Sequence, residues 1–540
     1  MATPVVPAAT FRHDFPKGFL FGASSSAFQI EGAVNEGGRG PSIWDTFAKE
    51  QDLHGWQVGT DHYNRYEEDV KLIKYMGLDS YRLSISWSRV LPNGKLSGGK
   101  NKEGIAFYNK LINKLLAAGI IPVVTLSHWD VPQGLDDEYG GFLSPKITKD
   151  FVDFANLCFA EFGDRVKFWI TFCGPWSLAY SGYGAGTIAP GRGVSSSAVD
   201  DFATRHRLPP DFTFCRPYRT RIHHDAFGDP GTEPYTVGHH QLLAHAAVVK
   251  LYKKNYQSTQ KGKIGIILQQ IWPVALTDTE EDRAAVQRSI DYMLGWFMDP
   301  LYKGDYPDSM KDFLGCRLPT FTSEESQTVK GSYDFIALNY YTATYVRDAP
   351  EAANGPPSVV TDPRVAYETE RDGVPIGEEA RPSGGSSWIR VYPAGIQEFL
   401  VYVKEKYDNP VIYISENGID ETNDPLLTRW ESLSDHWRVS YYQRHLSYLR
   451  RAITEHGVNV KGYFIWSLTD NFEWGESISS RFGNVYIDYD NGHTRNPKLS
   501  AEWFRVQLLN KATPRIGSSS PCRSRFLEPD ELDEHEFTTD

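Results

Sequence analysis

The stretch IPVVTLSH, residues 121–128, is apolar and β-branched through its middle and ends on a polar side chain. A run of this kind, bounded by glycine or polar residues and shorter than a helix, predicts a buried β-strand. Seven other runs in the chain share the pattern. In chain order, the eight predicted strands start at Phe19, Ser80, Ile121, Phe168, Ile264, Asp334, Val411 and Val460.

Amphipathic stretches, with apolar residues three and four positions apart, separate these strands. They cover residues 66–77, 103–119, 147–163, 241–256, 282–297, 394–407 and 434–457. Strands that alternate with helices in an undivided chain favour an α/β fold of the (β/α)8 TIM barrel type over a doubly wound open sheet. The alternation therefore predicts a barrel of eight parallel strands inside a ring of helices.

The remaining segments set the expected domain organisation. We expect a single domain over residues 14–510, with an N-terminal extension at 1–13 and an acidic, disordered tail at 511–540. Two insertions near 187–233 and 343–386 interrupt the alternation and are interpreted as long loops over the barrel rim.

Bulk composition argues against several classes of function. The 56 basic and 69 acidic side chains give a net charge of −13, which disfavours a nucleic-acid partner. The five cysteines lack zinc or redox spacing, and His223, His224 and Asp225 are interpreted as a solvated loop, so we expect no metal and no cofactor. Neither a signal peptide nor a membrane-spanning run is evident, which predicts an unsecreted, cytoplasmic protein with no membrane partner.

Polar or aromatic side chains stand where most of the predicted strands end. In a (β/α)8 barrel these ends share one rim, and the active site forms there. A single residue of this kind is more often structural than catalytic, but five of the eight strands share the feature. The residues are Arg82, His128 with Trp129, Asn339 with Tyr341, Glu416 with Asn417, and Trp466. We therefore expect a functional cleft at this rim.

Glu416 follows an apolar strand in VIYISENG, residues 411–418, and is predicted to project into that cleft. A carboxylate there can attack an anomeric carbon and form a covalent ester, as in a retaining glycosidase. Alternatively it pairs with Arg82, and the two roles are compatible because a nucleophile must be ionised. Trp466 offers an aromatic floor for a pyranose. Further groups suited to sugar hydroxyls are Gln29, His128, Asn339, Glu473 and Trp474.

Longer segments carry a specific resemblance to a known family. The chain resembles the β-glucosidases of glycoside hydrolase family 1 over residues 14–509, in FGASSSAFQIEGA, GRGPSIWDTF, YRLSISWSRVLP, TLSHWDVPQGL, LNYYT, ISENG, WSLTDNFEWGE and RFGNVYIDY. Within the family, the segments NKEGI, GGFLSP, MLGWFMDP and DYPDSMK are similar to unsecreted plant enzymes of the raucaffricine and strictosidine glucosidase type. The resemblance implies a small-molecule β-glucoside of an alkaloid or terpenoid as partner. It also implies a cytoplasmic or nuclear location and leaves a homo-oligomer open.

The resemblance further implies roles for individual residues. Glu416 is the nucleophile, and Arg82 supports it. Trp176 and Trp388 form aromatic walls on the aglycone side, suited to a flat aromatic or terpenoid group. The residues that match the family's glucose-binding pattern are Gln29, His128, Trp129, Asn339, Tyr341, Glu416, Trp466, Glu473, Trp474 and Phe482.

The fourth strand departs from the family pattern. Where the family usually reads Thr-Phe/Leu-Asn-Glu-Pro, this chain reads TFCGP, residues 171–175. The resemblance places Cys173 at a sugar-binding asparagine and Gly174 at the acid/base glutamate. A glycine neither protonates a leaving group nor activates water, so a loss of roughly 10²- to 10⁴-fold is expected for ordinary alkyl glucosides. Leaving groups that are stable as anions are expected to be least affected.

The departure leaves several interpretations open. In one interpretation, a partly ionised Cys173 takes the place of the missing acid. In the alternative interpretation, Cys173 is a buried, unreactive thiol. Asp211 or Asp225, reaching in from the insertion, is another substitute for the acid. The favoured hypothesis is a hydrolase with weakened acid/base catalysis. The competing hypotheses are a protein that binds the glucoside or performs non-hydrolytic aglycone chemistry, and a degenerate gene copy.

Overall fold

The computed structural model describes residues 12–193, 228–379, 385–386 and 388–509. Eight parallel strands close into a barrel, in which each strand pairs with its neighbours and the last pairs with the first. We number these barrel strands β1 to β8: Leu20–Ser24, Ser80–Ser84, Ile121–Ser127, Phe168–Cys173, Lys263–Gln269, Phe335–Asn339, Ile412–Asn417 and Val460–Trp466. All eight predicted strands are present, and the predicted (β/α)8 barrel is confirmed.

Helices occupy every connection between consecutive barrel strands. The longer ones are His62–Tyr75, Lys102–Ala117, Lys146–Phe162, Glu233–Asn255, Glu280–Ile290, Trp296–Lys303, Ala394–Lys406, His436–Thr454 and, after β8, Leu499–Leu508. Ile43–Glu50 also has eight residues, and the shorter helices are Ala27–Ile30, Trp87–Val90, Gln133–Tyr139, Pro175–Ser177, Gln257–Gln260, Asp308–Leu314, Ser323–Val329 and Arg429–Leu433. Each predicted amphipathic stretch contains a helix. In Lys102–Ala117, for example, the stripe of Tyr108, Leu111, Ile112 and Leu115 is buried.

The insertion near 343–386, interpreted as a loop, carries regular structure. Ala343–Asp348 pairs in parallel with Trp272–Ala275 and antiparallel with Val365–Glu368, so these segments form a three-stranded sheet outside the barrel. The partner strand comes from the connection after β5, and the sequence ATYVRD is rich in β-branched and aromatic residues. Shorter antiparallel pairs join Glu370–Arg371 to Val374–Pro375, Glu378–Glu379 to Arg390–Val391, Glu421–Thr422 to Ser480–Arg481, and Val485–Asp488 to Thr494–Pro497.

Several predictions fall outside the described residues. These are the extension before residue 12, the tail after residue 509, and the part of the first insertion at 194–227 that contains Asp211, His223, His224 and Asp225. Among the described helices, none combines the length and the apolar character needed to cross a membrane.

Two barrel strands each contain one extra residue, relative to a strand with which they pair, just before the rim. In β7, Ile414 pairs with Leu338 and Glu416 with Asn339, so two steps along β7 match one step along β6. In β4, Ile170 pairs with Gly265 and Cys173 with Ile267, so three steps match two. An extra residue of this kind re-aims the side chains that follow it. Both irregularities lie at the end of the barrel where the predicted site residues gather.

Candidate active site

Glu416 lies near the C-terminal end of β7 and lines a cleft at the barrel rim. Its side chain is buried, with 5% of the residue exposed. The extra residue in β7 places it beside Asn339 of β6, whose amide oxygen accepts a hydrogen bond of 2.7 Å from Ser415 Oγ. The carboxylate therefore projects from a rigid strand into the cleft, as predicted.

Three donors converge on the Glu416 carboxylate. Arg82 Nη1 donates to Oε1 in a buried ion pair, and Tyr341 OH donates to Oε2 over 2.7 Å. The thiol of Cys173 is the third donor, with Sγ 3.4 Å from Oε1. Arg82 is itself held by Thr125 Oγ1, which accepts from Nε over 3.1 Å. The predicted pairing with Arg82 is thus present, and it fixes the carboxylate without removing it from the cleft.

Cys173 faces the inside of the barrel because of the extra residue in β4. Strict alternation from Ile170 would place Phe172 inside and Cys173 outside, whereas Phe172 stacks on Phe151 in the outer layer and Cys173 packs with Ile170 and Ile267. Burial raises the pKa of the Cys173 thiol well above its usual range. Cys173 is therefore a neutral donor to Glu416, which matches the alternative of a buried, unreactive thiol.

His128 lies on the other side of Arg82 and is neutral. Burial lowers its pKa well below the usual range, and the adjacent Arg82 guanidinium lowers it further. Arg82 Nη2 lies 3.3 Å from His128 Nδ1, and because a guanidinium only donates, Nδ1 is the acceptor. The proton of the neutral ring therefore resides on Nε2, which can donate to a hydroxyl group.

The side chains of His128, Cys173 and Glu416 also form a cluster of metal-ligand type. One ligand atom from each residue lies within 4.8 Å of the other two. However, the Arg82 guanidinium already donates to Glu416 and to His128. Its positive charge opposes a divalent cation among the same three groups.

A second carboxyl group faces the same cleft. Glu473 lines it, and Gln29 Nε2 lies 3.4 Å from Glu473 Oε2. The Gln29 amide is oriented by Ser26 Oγ, which donates to its Oε1 over 2.6 Å. Burial raises the pKa of Glu473 well above its usual range, and the charges of Asp420 and Glu416 raise it further. A carboxyl group that retains its proton can donate as well as accept, which suits sugar hydroxyls.

Aromatic rings form the walls of the cleft. The rings of Trp129 and Trp474 have centroids 4.7 Å apart, and the cleft is also lined by Trp466. On the opposite side, Trp388 meets the edge of Tyr341 at a centroid distance of 5.7 Å. These faces can pack against the apolar side of a pyranose and against a flat aglycone.

Gly174 adopts a left-handed backbone conformation directly after β4, with φ at +49°. The Trp129 indole nitrogen donates to the carbonyl oxygens of Cys173 and Gly174, over 2.8 and 3.3 Å. A Cβ atom at position 174 would lie 2.6 Å from Gln269 Oε1 and 3.5 Å from Ser177 Oγ. The side chain of Gln269 therefore occupies space that a side chain at position 174 would need.

Trp176 is the predicted aglycone residue that the structure moves out of the cleft. It lies on the short helix Pro175–Ser177, which continues into a π-helical segment, Leu178–Gly182. Along these two segments, Ser177 and Ser181 line the cleft, and Trp176 and Tyr180 line a second cavity. Trp176 stacks on Tyr180 at 4.3 Å and donates from its indole nitrogen to the Tyr292 carbonyl oxygen. The cavity that Trp176 faces shares Ile271 with the Glu416 cleft, so its role as an aromatic wall on the aglycone side stays a prediction.

The other predicted residues come together. Those that line the cleft are His128, Trp129, Asn339, Tyr341, Trp388, Glu416, Trp466, Glu473, Trp474 and Phe482. Arg82 and Cys173 touch Glu416, and Gln29 touches Glu473. Sequence reasoning missed Ser177, Ser181, Ile188, Gln269, Gln270, Ile271, Thr342, Ser386 and Glu476. Gln269 and Gln270 follow an apolar run just as the predicted rim residues do, so the strand-end pattern could have revealed them.

A closed (β/α)8 barrel that holds a buried, triply hydrogen-bonded carboxylate in an aromatic cleft defines a protein of the glycoside hydrolase type. The profile of glycosyl hydrolase family 1 matches residues 11–512, and the chain belongs to this family. The predicted family is confirmed.

Similar proteins cover nearly the whole chain. Beta-glucosidase 12 of Oryza sativa subsp. indica is 51% identical over 503 residues, which cover 92% of this chain and 93% of that protein. Raucaffricine-O-beta-D-glucosidase of Rauvolfia serpentina is 50% identical over 529 residues, which cover 96% and 95%. A crystal structure of a rice β-glucosidase aligns with a TM-score of 0.84 at 42% identity, covering 92% of this chain and 99% of that one. A mutant of that rice enzyme is known in a covalent complex with Glc.

Proposed function

We propose that the protein is a retaining β-glucosidase of plant specialised metabolism with weakened acid/base catalysis. It would cleave an alkaloid or terpenoid β-D-glucoside whose aglycone is stable as an anion. The observation that supports this most directly is the Glu416 carboxylate, which three donors hold in a cleft lined by groups suited to glucose. The covalent Glc complex of the rice relative supports the same first step.

The first step forms a glucosyl ester. A carboxylate oxygen of Glu416 attacks the anomeric carbon, the bond from that carbon to the aglycone oxygen breaks, and the electron pair leaves with the oxygen. Tyr341 and Arg82 hold the carboxylate against the anomeric carbon. Neutral His128 and Glu473, whose pKa is raised by burial, bind sugar hydroxyls.

The second step returns the free enzyme. Water attacks the anomeric carbon, the ester bond to Glu416 breaks, and the proton of the water passes to solvent or to a buffer anion. A glutamate at position 174 would assist both steps, whereas Gly174 has no group to offer. The missing assistance corresponds to roughly 10²- to 10⁴-fold, or about 3–5 kcal/mol of barrier. Because water needs activation more than a good leaving group needs a proton, the glucosyl-enzyme is expected to accumulate.

The aglycone side supports an aromatic or terpenoid group. Trp388, Ile188 and Ile271 contribute apolar surface to the lining of the cleft, and Ser177 and Ser181 add small polar side chains. A fused or planar ring system can cover these faces. The similarity to raucaffricine glucosidase supports the same choice of ligand class.

A second candidate is a protein that binds the glucoside or aglycone without hydrolysing it. The residues that favour it are Cys173 and Gly174. With these two residues, the end of β4 carries neither a side-chain carboxyl group nor a side-chain amide. The two candidates differ in whether Glu416 forms a bond to glucose.

Trapping of the glucosyl-enzyme tests the proposal. The protein is incubated with 2,4-dinitrophenyl 2-deoxy-2-fluoro-β-D-glucoside and its mass is measured. We expect one added fluoroglucosyl group, located on the peptide that contains Glu416, and no addition to the Glu416→Gln variant. Unlabelled protein after prolonged incubation would contradict the hydrolase and favour the binding protein.

A further inference from the structure

Gln269 is the last residue of β5 and lines the cleft next to Gly174. Its Oε1 lies 2.6 Å from the point where a Cβ atom at position 174 would stand. The clash is with the far end of a flexible side chain and not with backbone. The side-chain amide of Gln269, which is held at the end of β5, therefore occupies the place where the Cβ atom of a residue at position 174 would lie.

The amide of Gln269 is hydrogen-bonded to one neighbouring side chain, Ser177. Ser177 Oγ donates to its Oε1 over 3.0 Å, which leaves the two N–H groups of Nε2 to point elsewhere. Within residues 12–193, 228–379, 385–386 and 388–509, no acceptor hydrogen-bonds to Nε2. Because Gln269 is partly exposed to the cleft, the free donor is available to a ligand.

We infer that Gln269 donates a hydrogen bond from Nε2 to the departing aglycone oxygen, on the same side of the cleft as Gly174. The inference rests on the proposed function, since it concerns the leaving group of the same reaction. As the bond between the anomeric carbon and the aglycone oxygen breaks, negative charge builds on that oxygen and the Nε2–H group stabilises it. The amide keeps its proton, so the aglycone departs as an anion and takes a proton from solvent.

This role makes Gln269 a residue that selects the leaving group. A hydrogen bond stabilises developing charge, but it does not neutralise a strongly basic alkoxide. Aglycones with acidic hydroxyls, such as phenols and enols, are therefore the class that Gln269 serves. Simple alkyl glucosides need a proton donor, which an amide is not.

Two substitutions at this position separate hydrogen bonding from simple space filling. Gln269→Met keeps the length of the side chain and removes the donor. Gln269→Glu supplies a carboxyl group whose pKa should be raised by partial burial and by the charge of Glu416, so that it acts as an acid. Gln287→Met, at an exposed helical position, is the matched control.

The readout is the rate of glucosyl-enzyme formation, followed by the first turnover of a series of aryl glucosides with leaving groups of increasing pKa. We expect Gln269→Met to slow this step about tenfold, with a steeper dependence on leaving-group pKa. Gln269→Glu should accelerate it at least tenfold for the least activated aryl glucosides, with a rate that falls as pH rises through the pKa of the new carboxyl group. Ser177→Ala, which releases the amide from its hydrogen bond, should act like Gln269→Met with about a threefold effect.

The outcomes also separate the inference from the proposed function. If the unmodified protein forms no glucosyl-enzyme, the proposed function fails. If it does form one, and Gln269→Met, Gln269→Glu and Ser177→Ala all match the unmodified protein across the series, then Gln269 is only a filler and the inference fails. Unchanged melting temperatures would show that each variant is folded.

Discussion

The two sides of the cleft differ in how completely they are built. On the nucleophile side, Glu416 receives hydrogen bonds from Arg82, Tyr341 and Cys173. On the leaving-group side, the end of β4 offers a glycine and the neighbouring strand offers the amide of Gln269. The comparison shows that the hydrogen bonds that hold Glu416 are formed without a carboxyl group at the end of β4. The predictions below test whether the two sides are separable.

Replacement of the nucleophile should have the largest effect. Glu416→Gln preserves the size of the side chain but removes the attacking charge, so turnover of dinitrophenyl glucoside should fall by roughly 10³-fold or more. The measurement is initial rate by dinitrophenolate absorbance. Glu405→Gln, at an exposed position on the helix Ala394–Lys406, is the matched control. Equal activity of Glu416→Gln and the unmodified protein would show that the carboxylate is not the nucleophile.

Restoration of an acid on the leaving-group side should have the next largest effect. Gly174→Glu combined with Gln269→Ala should raise turnover of alkyl glucosides by roughly 10²-fold, because the carboxyl group supplies the missing proton and the second change removes the 2.6 Å clash. Gly174→Glu alone should gain less, since it retains the clash, whereas the strain of a glutamate at φ +49° is common to both variants. Gly174→Gln with Gln269→Ala is the control that lacks a transferable proton. Equal rates for the acid and amide double variants would refute a defect in proton transfer.

Loss of one donor to the nucleophile should have a moderate effect. Tyr341→Phe removes the 2.7 Å hydrogen bond to Glu416 Oε2 and should slow formation of the glucosyl-enzyme about tenfold, without a change in its dependence on leaving-group pKa. Stopped-flow measurement of the first turnover provides the rate of glucosyl-enzyme formation and its dependence on leaving-group pKa. Tyr66→Phe, on the helix His62–Tyr75, is the control. If the rate of glucosyl-enzyme formation in Tyr341→Phe depended more steeply on leaving-group pKa, the nucleophile side and the leaving-group side would be coupled.

Changes to the Cys173 thiol should have a small effect. Cys173→Ala should slow the first turnover only about threefold, because a thiol is a weak donor, and Cys173→Ser should restore it. Iodoacetamide should label the exposed Cys316 and spare Cys173, whose burial raises its thiol pKa. Mass analysis of the labelled peptides shows this directly. Rapid alkylation of Cys173 would instead indicate a thiolate at the end of β4.

The smallest predicted effect concerns Asp130. It directly follows His128 and Trp129, which contact the nucleophile side and the leaving-group side of the cleft. His128 contacts Arg82, Trp129 contacts the carbonyl of Gly174, and Asp130 is buried behind them. Burial raises the pKa of Asp130 to about 7. A carboxyl group with a raised folded-state pKa favours the folded state when protonated, so its contribution to stability is lost as pH rises from about 4 to about 7.

Asp130→Asn should therefore raise the melting temperature by a few degrees at pH 8 and by less at pH 5. Thermal denaturation at both pH values is the measurement. An equal shift at both values would mean that the carboxyl group is ionised in the folded protein throughout this range.

The sequence supported the fold and most of the site because strands and rim residues carry local patterns. Eight apolar runs can be recognised in the sequence, five of them end on polar or aromatic residues, and Glu416 stands before Asn-Gly at the end of one. The direction of Cys173 is not visible, because it depends on one extra residue relative to the neighbouring strand. Register is a property of two strands together, and no periodicity within one of them reveals it.

Of the two other differences, the one at Trp176 could be predicted from the sequence and the one at Gln269 could not. The spacing of Trp176 from Tyr180, and of Ser177 from Ser181, is the four-residue spacing of one helix face, so only one of the two pairs can face the cleft. Gln269 lies within the strand predicted from Ile264, and its closeness to Gly174 arises from packing between β4 and β5. A contact of that kind needs coordinates.

Burst kinetics test most directly whether the nucleophile side of the cleft works while the leaving-group side is incomplete. The protein is mixed with dinitrophenyl β-D-glucoside, and release of dinitrophenolate is followed in the presence and absence of azide. We expect a burst close to one equivalent per protein molecule, followed by a slow steady rate that azide accelerates while the burst stays unchanged. Absence of both burst and turnover, with or without azide, would contradict a working nucleophile beside an incomplete leaving-group side.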